Sequence, residues 1–226
     1  MPAGLPGEPG APEIDVLLLG EQHDAAGHQK LHRRVVQALA DRGRLAALAL
    51  EMAGQGASTE GLLADASEAT VQSALHWNDS GWPWRTYGPA VMAAVAAGVP
   101  VLGANLPRSQ WRGAMDDVAL ETLISAAALK AQEEAIRLGH CNLLPETQIR
   151  PMTRMQIARD RTMAQTLEQA VTPGKTVVLL AGAGHVDETL GVPLHLAAGL
   201  RVRSVTLPPE PQAKDYCAQL SRQMRP

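Results

Sequence analysis

The sequence contains no phenylalanine, and aromatic residues make up only 3% of its 226 residues. A core without many rings must be built from leucine, valine, alanine and methionine. The chain also has only two cysteines, Cys141 and Cys217, which are too few for a disulfide framework or for a CxxC zinc site. We therefore expect free thiols in a reducing compartment, with a single bridge between the two cysteines as the alternative.

Long apolar runs and basic stretches are missing as well. No run approaches the roughly 20 apolar residues of a membrane-spanning helix, so we expect no membrane span. A net charge of −3 without a Lys/Arg stripe argues against nucleic-acid binding. Residues 1–12 are rich in Pro and Gly and lack the basic start and apolar centre of a signal peptide. The sequence as given predicts a cytoplasmic protein, whereas a trimmed export signal would place it in the periplasm or at the outer membrane.

The most informative stretch is IDVLLLGEQH, residues 14–23. Its apolar run ends at Gly20, which is typical of a strand buried on both faces. Because glycine has no Cβ, we expect the chain to turn sharply at Gly20. Glu21 and His23 would then lie at the carboxyl end of a core strand, where open parallel sheets bind their ligands.

Strand-length apolar runs alternate with helical patterns along the chain, which predicts an α/β fold with a mainly parallel sheet flanked by helices. The predicted strands are 16–19, 45–50, 99–103, 176–181 and 202–207. The main predicted helices are 89–97, 116–138 and 148–170. The predicted organisation is a flexible tail (1–12), one domain (13–210) with helical insertions at about 57–90 and 115–170, and a C-terminal tail (211–226).

Polar side chains follow four of the predicted strands. They are Glu21 with His23, then Glu51, Asn105 and His185. In a parallel sheet these strand ends share one edge, so the side chains are expected to meet in one crevice. His23, Glu51 and His185 are ligand types that a divalent metal ion prefers, and they also suit direct acid–base chemistry, so both interpretations stay open.

The ordered motifs resemble a known family. The two G-x-x-H motifs, GEQH and GAGH, with Glu51 between them, resemble the Tiki superfamily. LGEQHDAAGH, ALEM, GANLPR, GHCNLLPE, IARDRTMA and AGAGHV resemble its ChaN-like haem-binding uptake branch over about residues 14–207. This resemblance implies haem bound at the interface of a homodimer, a tyrosine on the iron, and a role in haem or iron uptake.

Related branches imply a second function. Tiki proteases and erythromycin esterases are hydrolases that use the G-x-x-H histidines and the glutamate. Transferred by motif, this resemblance assigns catalysis to His23, Glu51 and His185, with Glu21 as their neighbour. The alternative to haem binding is therefore a metal-dependent or acid–base esterase or peptidase.

The tyrosine that the resemblance places on the haem iron must be one of the two in this chain, Tyr87 or Tyr216. We favour Tyr87, because it follows a tryptophan cluster at the start of a predicted helix, and ordinary packing of this ring is the alternative. Asn105 and Arg108 of the GANLPR motif are also expected to contact the cofactor. Asp160 of the RD step is expected to border the site and to hydrogen-bond one of the histidines.

Overall fold

The computed structural model describes residues 13–211 and 215–223, so the predicted tail over 1–12 lies outside the described residues. The described strands are β1 (Val16–Glu21), β2 (Leu45–Gly54), β3 (Val101–Asn105), β4 (Thr176–Gly182) and β5 (Val202–Thr206). The described α-helices are α1 (Ala26–Asp41), α2 (Glu68–Ala74), α3 (Trp84–Ala96), α4 (Trp111–Asp116), α5 (Ala126–Gly139), α6 (Glu146–Ala170) and α7 (Tyr216–Gln223). None of these helices is both long and apolar enough to cross a membrane.

The five strands form one parallel sheet in the order β3-β2-β4-β1-β5. This confirms the predicted α/β fold. Neighbouring parallel strands need long crossovers, which the helices supply. β1 and β4 lie inside the sheet and are buried along their whole length, which explains their continuous apolar runs. All strands point the same way, so their carboxyl ends form a single edge.

The Ala-rich run of β2 is a strand because both of its faces are covered. Leu48 and Leu50 pack against α1 and α3, whereas Ala47 and Ala49 face the opposite layer, where α6 contributes Leu167. Small side chains on one face and large ones on the other follow the two-residue period of a strand. Burial on both faces therefore outweighs the low β-propensity of alanine.

Gly20 has a different role from the one predicted. The chain does not turn there, because β1 continues to Glu21. Instead, a Cβ at Gly20 would lie 2.2 Å from Cγ2 of Val186, in the short turn after β4. Glycine is required because another part of the backbone approaches β1 closely at this point.

The predicted helix over 116–138 is divided in two. A 3-10 segment, Val118–Leu123, replaces its first third, and α5 begins only at Ala126. The Ser125 hydroxyl accepts a hydrogen bond from the N–H of Ala128 (3.1 Å), which is an N-cap in the middle of the predicted helix. This capping side chain starts a new helix where hydrophobic periodicity alone suggested a continuous one.

The C-terminal region also differs from prediction. Within the predicted C-terminal tail (211–226), residues 216–223 form the helix α7. The expectation of free thiols is wrong as well, because Cys141, just after α5, forms a disulfide with Cys217 on α7. The bridge attaches this mostly exposed helix to the rest of the domain.

Breaking the disulfide is expected to release α7. An eight-residue helix is not stable on its own in water, so Cys217→Ser, or reduction of the wild type, should remove protection of the α7 amides against hydrogen exchange. The amides of β4 serve as the internal control and should stay protected. Equal protection of α7 with and without the bridge would show that other contacts hold the helix.

Candidate functional site

Three of the predicted site residues meet at the carboxyl edge of the sheet. Nε2 of His23 lies 3.8 Å from Oε2 of Glu51, and Nε2 of His185 lies 3.4 Å from Oε1 of the same carboxylate. Glu51 lies within β2 near its carboxyl end, whereas His23 and His185 follow β1 and β4, and the topology places these three strands side by side. The order of the parallel strands thus brings together residues that lie far apart in the chain, since His23 and His185 are separated by 162 positions.

Glu51 is the centre of this group and is only 4% exposed. Its Oε1 atom accepts a hydrogen bond from Nη2 of Arg159 (2.6 Å), and its Oε2 atom accepts one from the backbone N–H of Gly182 (2.6 Å). A Cβ at Gly182 would lie 2.9 Å from Nε2 of His23. Glycine at this position therefore leaves room for both the carboxylate and the imidazole.

His185 lies between two carboxylates. Its Nδ1 atom is 2.5 Å from Oδ1 of Asp160, and its Nε2 atom faces Glu51. Burial opposes the charged ring, but Glu51 and Asp160 raise the pKa of His185 to about 9. Burial likewise opposes ionisation of Glu51, yet His185 and Arg159 lower the pKa of this carboxyl well below its usual value. Glu51 and His185 thus form an ion pair at neutral pH, whereas burial raises the pKa of Asp160 despite the opposing effects of His185 and Arg159.

A second carboxylate, Glu21, organises the outer part of the site. It accepts hydrogen bonds from the hydroxyl of Tyr87 (2.6 Å) and from Nδ1 of His23 (2.7 Å). Nδ1 of His32 lies 3.2 Å from Glu21, although neither ring nitrogen of His32 has a well-aligned hydrogen-bond partner among the described residues. Burial lowers the pKa of His32 to about 4, so this ring is neutral at neutral pH. Glu21 therefore binds a phenol and one histidine firmly.

The two tyrosines occupy different environments. Tyr87 is 2% exposed, and burial together with the Glu21 carboxylate raises its pKa far above the usual value. Tyr216 is 44% exposed at the start of α7, and burial of its hydroxyl and a hydrogen bond with Asp24 raise its pKa.

The side chain of His23 is 36% exposed and forms one wall of the opening of the site. The ring of Trp82 packs edge-on against it, with ring centroids 4.8 Å apart. Trp82 also contacts Tyr87, with centroids 5.9 Å apart. Asp24, the residue after His23 in the chain, hydrogen-bonds the hydroxyl of Tyr216. We call the surface formed by His23, Trp82 and Tyr216 the mouth of the site.

Of the predicted cofactor-contacting residues, Asn105 and Asp160 lie in the network and Arg108 does not. The Asn105 amide donates to the backbone carbonyl of Glu51 (2.8 Å) and accepts from Nε of Arg159 (3.0 Å). Arg108 is exposed, and its guanidinium stacks on the ring of Trp111 at 5.3 Å. The structure therefore separates Arg108 from the group at the sheet edge.

Sequence reasoning assigned no role in the site to Arg159. This residue lies on the long helix α6, beside Asp160, and both side chains point to the sheet edge. The RD step of IARDRTMA was the available signal for this placement.

The metal prediction fits poorly with these contacts. The described ranges 13–211 and 215–223 contain no group of three or more His, Cys, Asp or Glu side chains arranged to hold a metal ion. Both oxygens of Glu51 are already engaged, and Arg159 places a positive charge beside it. A metal ion would have to enter against that charge, so the metal site stays a prediction and we derive no chemistry from it.

The acid–base hydrolase is the other open alternative. A general base must be unprotonated at the working pH. The pKa of His185 near 9 keeps this ring protonated at neutral pH, and the Glu51 carboxylate is held by Arg159. Hydrolysis by these residues therefore stays a prediction that the geometry does not favour.

Fold and site together define a parallel α/β protein with a buried carboxylate–histidine network at the strand ends. Residues 11–196 match the haem-binding uptake family (Tiki superfamily, ChaN), and the chain belongs to that family. This confirms the resemblance found in the motifs. A solved structure described as cofacial haem binding to ChaN of Campylobacter jejuni is 24% identical, with a TM-score of 0.71 over 88% of this chain and 83% of that one, and it shares the fold. No curated protein matches the chain.

Removing the charge of Glu51 is expected to destabilise the fold strongly. Glu51→Gln leaves Arg159 without its carboxylate partner and His185 with only one of two, and breaking a buried ion pair costs about 3–5 kcal/mol. Urea unfolding followed by circular dichroism measures this loss. Glu146→Gln, which removes a fully exposed partner of Arg137, is the matched control and should change the unfolding free energy much less. Equal effects of the two variants would contradict the network.

Proposed function

We propose that this protein binds haem at the mouth of the site and acts in haem or iron handling. Membership of the haem-binding uptake family supports this function. The observation that carries it is an exposed phenol, Tyr216, that hydrogen-bonds Asp24, next in the chain to the exposed His23 ring and its Trp82 contact. Flat aromatic side chains pack well against a porphyrin, and a phenolate is a known axial ligand of haem iron.

Tyr216 suits the iron ligand better than Tyr87. The Tyr87 hydroxyl donates to Glu21 inside the protein, so using it as an iron ligand would break a buried hydrogen bond to a carboxylate. Tyr216 is accessible, and its hydroxyl hydrogen-bonds Asp24 at the surface, not a buried carboxylate. The phenolic oxygen of Tyr216 would hold the iron of a bound haem. Tyr87 would then help to fix the position of His23 at the mouth, because both side chains hydrogen-bond Glu21.

The proposal extends to a homodimer, as the family resemblance implies. Leu138 and Leu143 flank Cys141, and Tyr216 precedes Cys217, so the disulfide brings these apolar side chains to one region. They are 61%, 38% and 44% exposed, respectively. A group of exposed apolar side chains beside the proposed haem site is typical of a surface that another protein covers.

The test is titration with hemin, followed by the Soret band and by size-exclusion chromatography. The wild type should show a shifted Soret band and a larger particle on loading. Tyr216→Phe is expected to weaken binding by about tenfold or more, which corresponds to about 1.4 kcal/mol, because the iron loses its ligand. Tyr87→Phe is the matched control.

Tyr87→Phe should leave the spectrum of the bound haem close to that of the wild type. A Soret shift that is kept in Tyr216→Phe but lost in Tyr87→Phe would identify Tyr87, and not Tyr216, as the iron ligand. No shift in the wild type, with no change in particle size, would contradict haem binding.

A further inference from the structure

A groove lies between α1 and α3, next to the site but outside it. Its volume is about 280 Å³, and its walls include Lys30 and Arg33 from α1 and Arg85 and Thr86 from α3. These residues converge from two helices on one concave surface. The groove therefore differs from a row of cations along a single exposed helix face.

The charge of the groove is uniformly positive. No carboxylate lines it, and within the described ranges Lys30, Arg33 and Arg85 form no ion pair with the protein. By contrast, Arg201 pairs with two carboxylates. On a chain with a net charge of −3, three unpaired cations around one cavity are a local excess that attracts an anion.

The first turn of α3 adds to this potential, because Arg85 and Thr86 lie at the positive end of the helix dipole. The Asp79 carboxylate already accepts the N–H of Trp84 (2.7 Å), however. The three cations therefore carry the inference, and the helix end only supports it.

The groove shares a wall with the site. The side-chain amide of Gln29, which also lines the groove, donates to Oε2 of Glu21 (3.3 Å) and to the backbone carbonyl of His23 (3.2 Å). Thr86 directly precedes Tyr87. Ala26, at the edge of the groove, is two residues from Asp24 and hence within about 7 Å of it along the chain. A ligand at the mouth could therefore extend an acidic group into the groove.

We propose that this groove is a binding site for carboxylate groups, with Arg33 and Arg85 as its main contacts. The planar guanidinium forks of two arginines match the two oxygens of a carboxylate. The carboxylates are either the propionates of a haem at the mouth, which rests on the proposed function, or those of a separate small dicarboxylate, which does not.

The experiment compares the double variant Arg33→Gln/Arg85→Gln with a control of equal charge change, Arg34→Gln/Arg112→Gln. Both control residues are exposed and lie outside the groove. Each protein is titrated with hemin, with hemin dimethyl ester, which lacks free propionates, and with succinate by calorimetry. Thermal melts confirm that all variants are folded.

If the groove binds propionates, the groove variant weakens hemin binding about three- to tenfold relative to the control, as two partly exposed ion pairs would. It leaves binding of the ester unchanged. If the groove binds a free dicarboxylate, the wild type and the control bind succinate, the groove variant does not, and hemin binding is equal in all three.

Either result supports the proposal that the groove binds carboxylates, and three other results would overturn it. They are equal behaviour of the groove variant and the control with every ligand, equal weakening of hemin and ester by the groove variant, or no binding of either hemin or succinate to the wild type. Failure of hemin alone would count against the proposed haem function, while the succinate titration would still decide for or against the groove.

Discussion

The structure depends on one buried carboxylate, that of Glu51. Removing a carboxylate from water costs several kcal/mol unless charged and hydrogen-bonding groups replace the water. Here the replacements come from α6, through Arg159, and from the end of β4, through the N–H of Gly182 and through His185. The carboxylate can stay ionised only if helix, sheet and turn are all in place. This requirement fixes the inner part of the site.

The site has two layers with different chemistry. In the inner layer Glu51 and Asp160 hold His185 as a cation, and all three residues are buried. In the outer layer Glu21 binds Tyr87 and His23, of which only His23 reaches solvent. The polar atoms of Glu51 and His185 already contact other protein groups, so few of them are free to bind a ligand. The inner layer therefore positions the outer one, and binding belongs to the exposed mouth.

Much of the sheet edge could be predicted because local rules apply there. An apolar run followed at once by Glu21 and His23, or by His185, identifies both a core strand and its polar end without knowledge of the rest of the fold. Arg159 could not be placed in this way. It lies on the 25-residue helix α6, where periodicity shows which residues are polar but not which polar side chain meets a buried carboxylate. The burial of Tyr87 and the pairing of Cys141 with Cys217 likewise depend on contacts between elements distant in the chain.

The central claim is that His185 is an imidazolium held between Glu51 and Asp160. Nitrogen-15 NMR of the histidine rings tests it most directly, with His185 assigned by comparison with His185→Gln. The account predicts that both ring nitrogens of His185 are protonated at neutral pH and that the ring titrates with a pKa of about 9. A ring that is neutral at neutral pH and titrates at or below about 6.5, the ordinary value, would contradict the account.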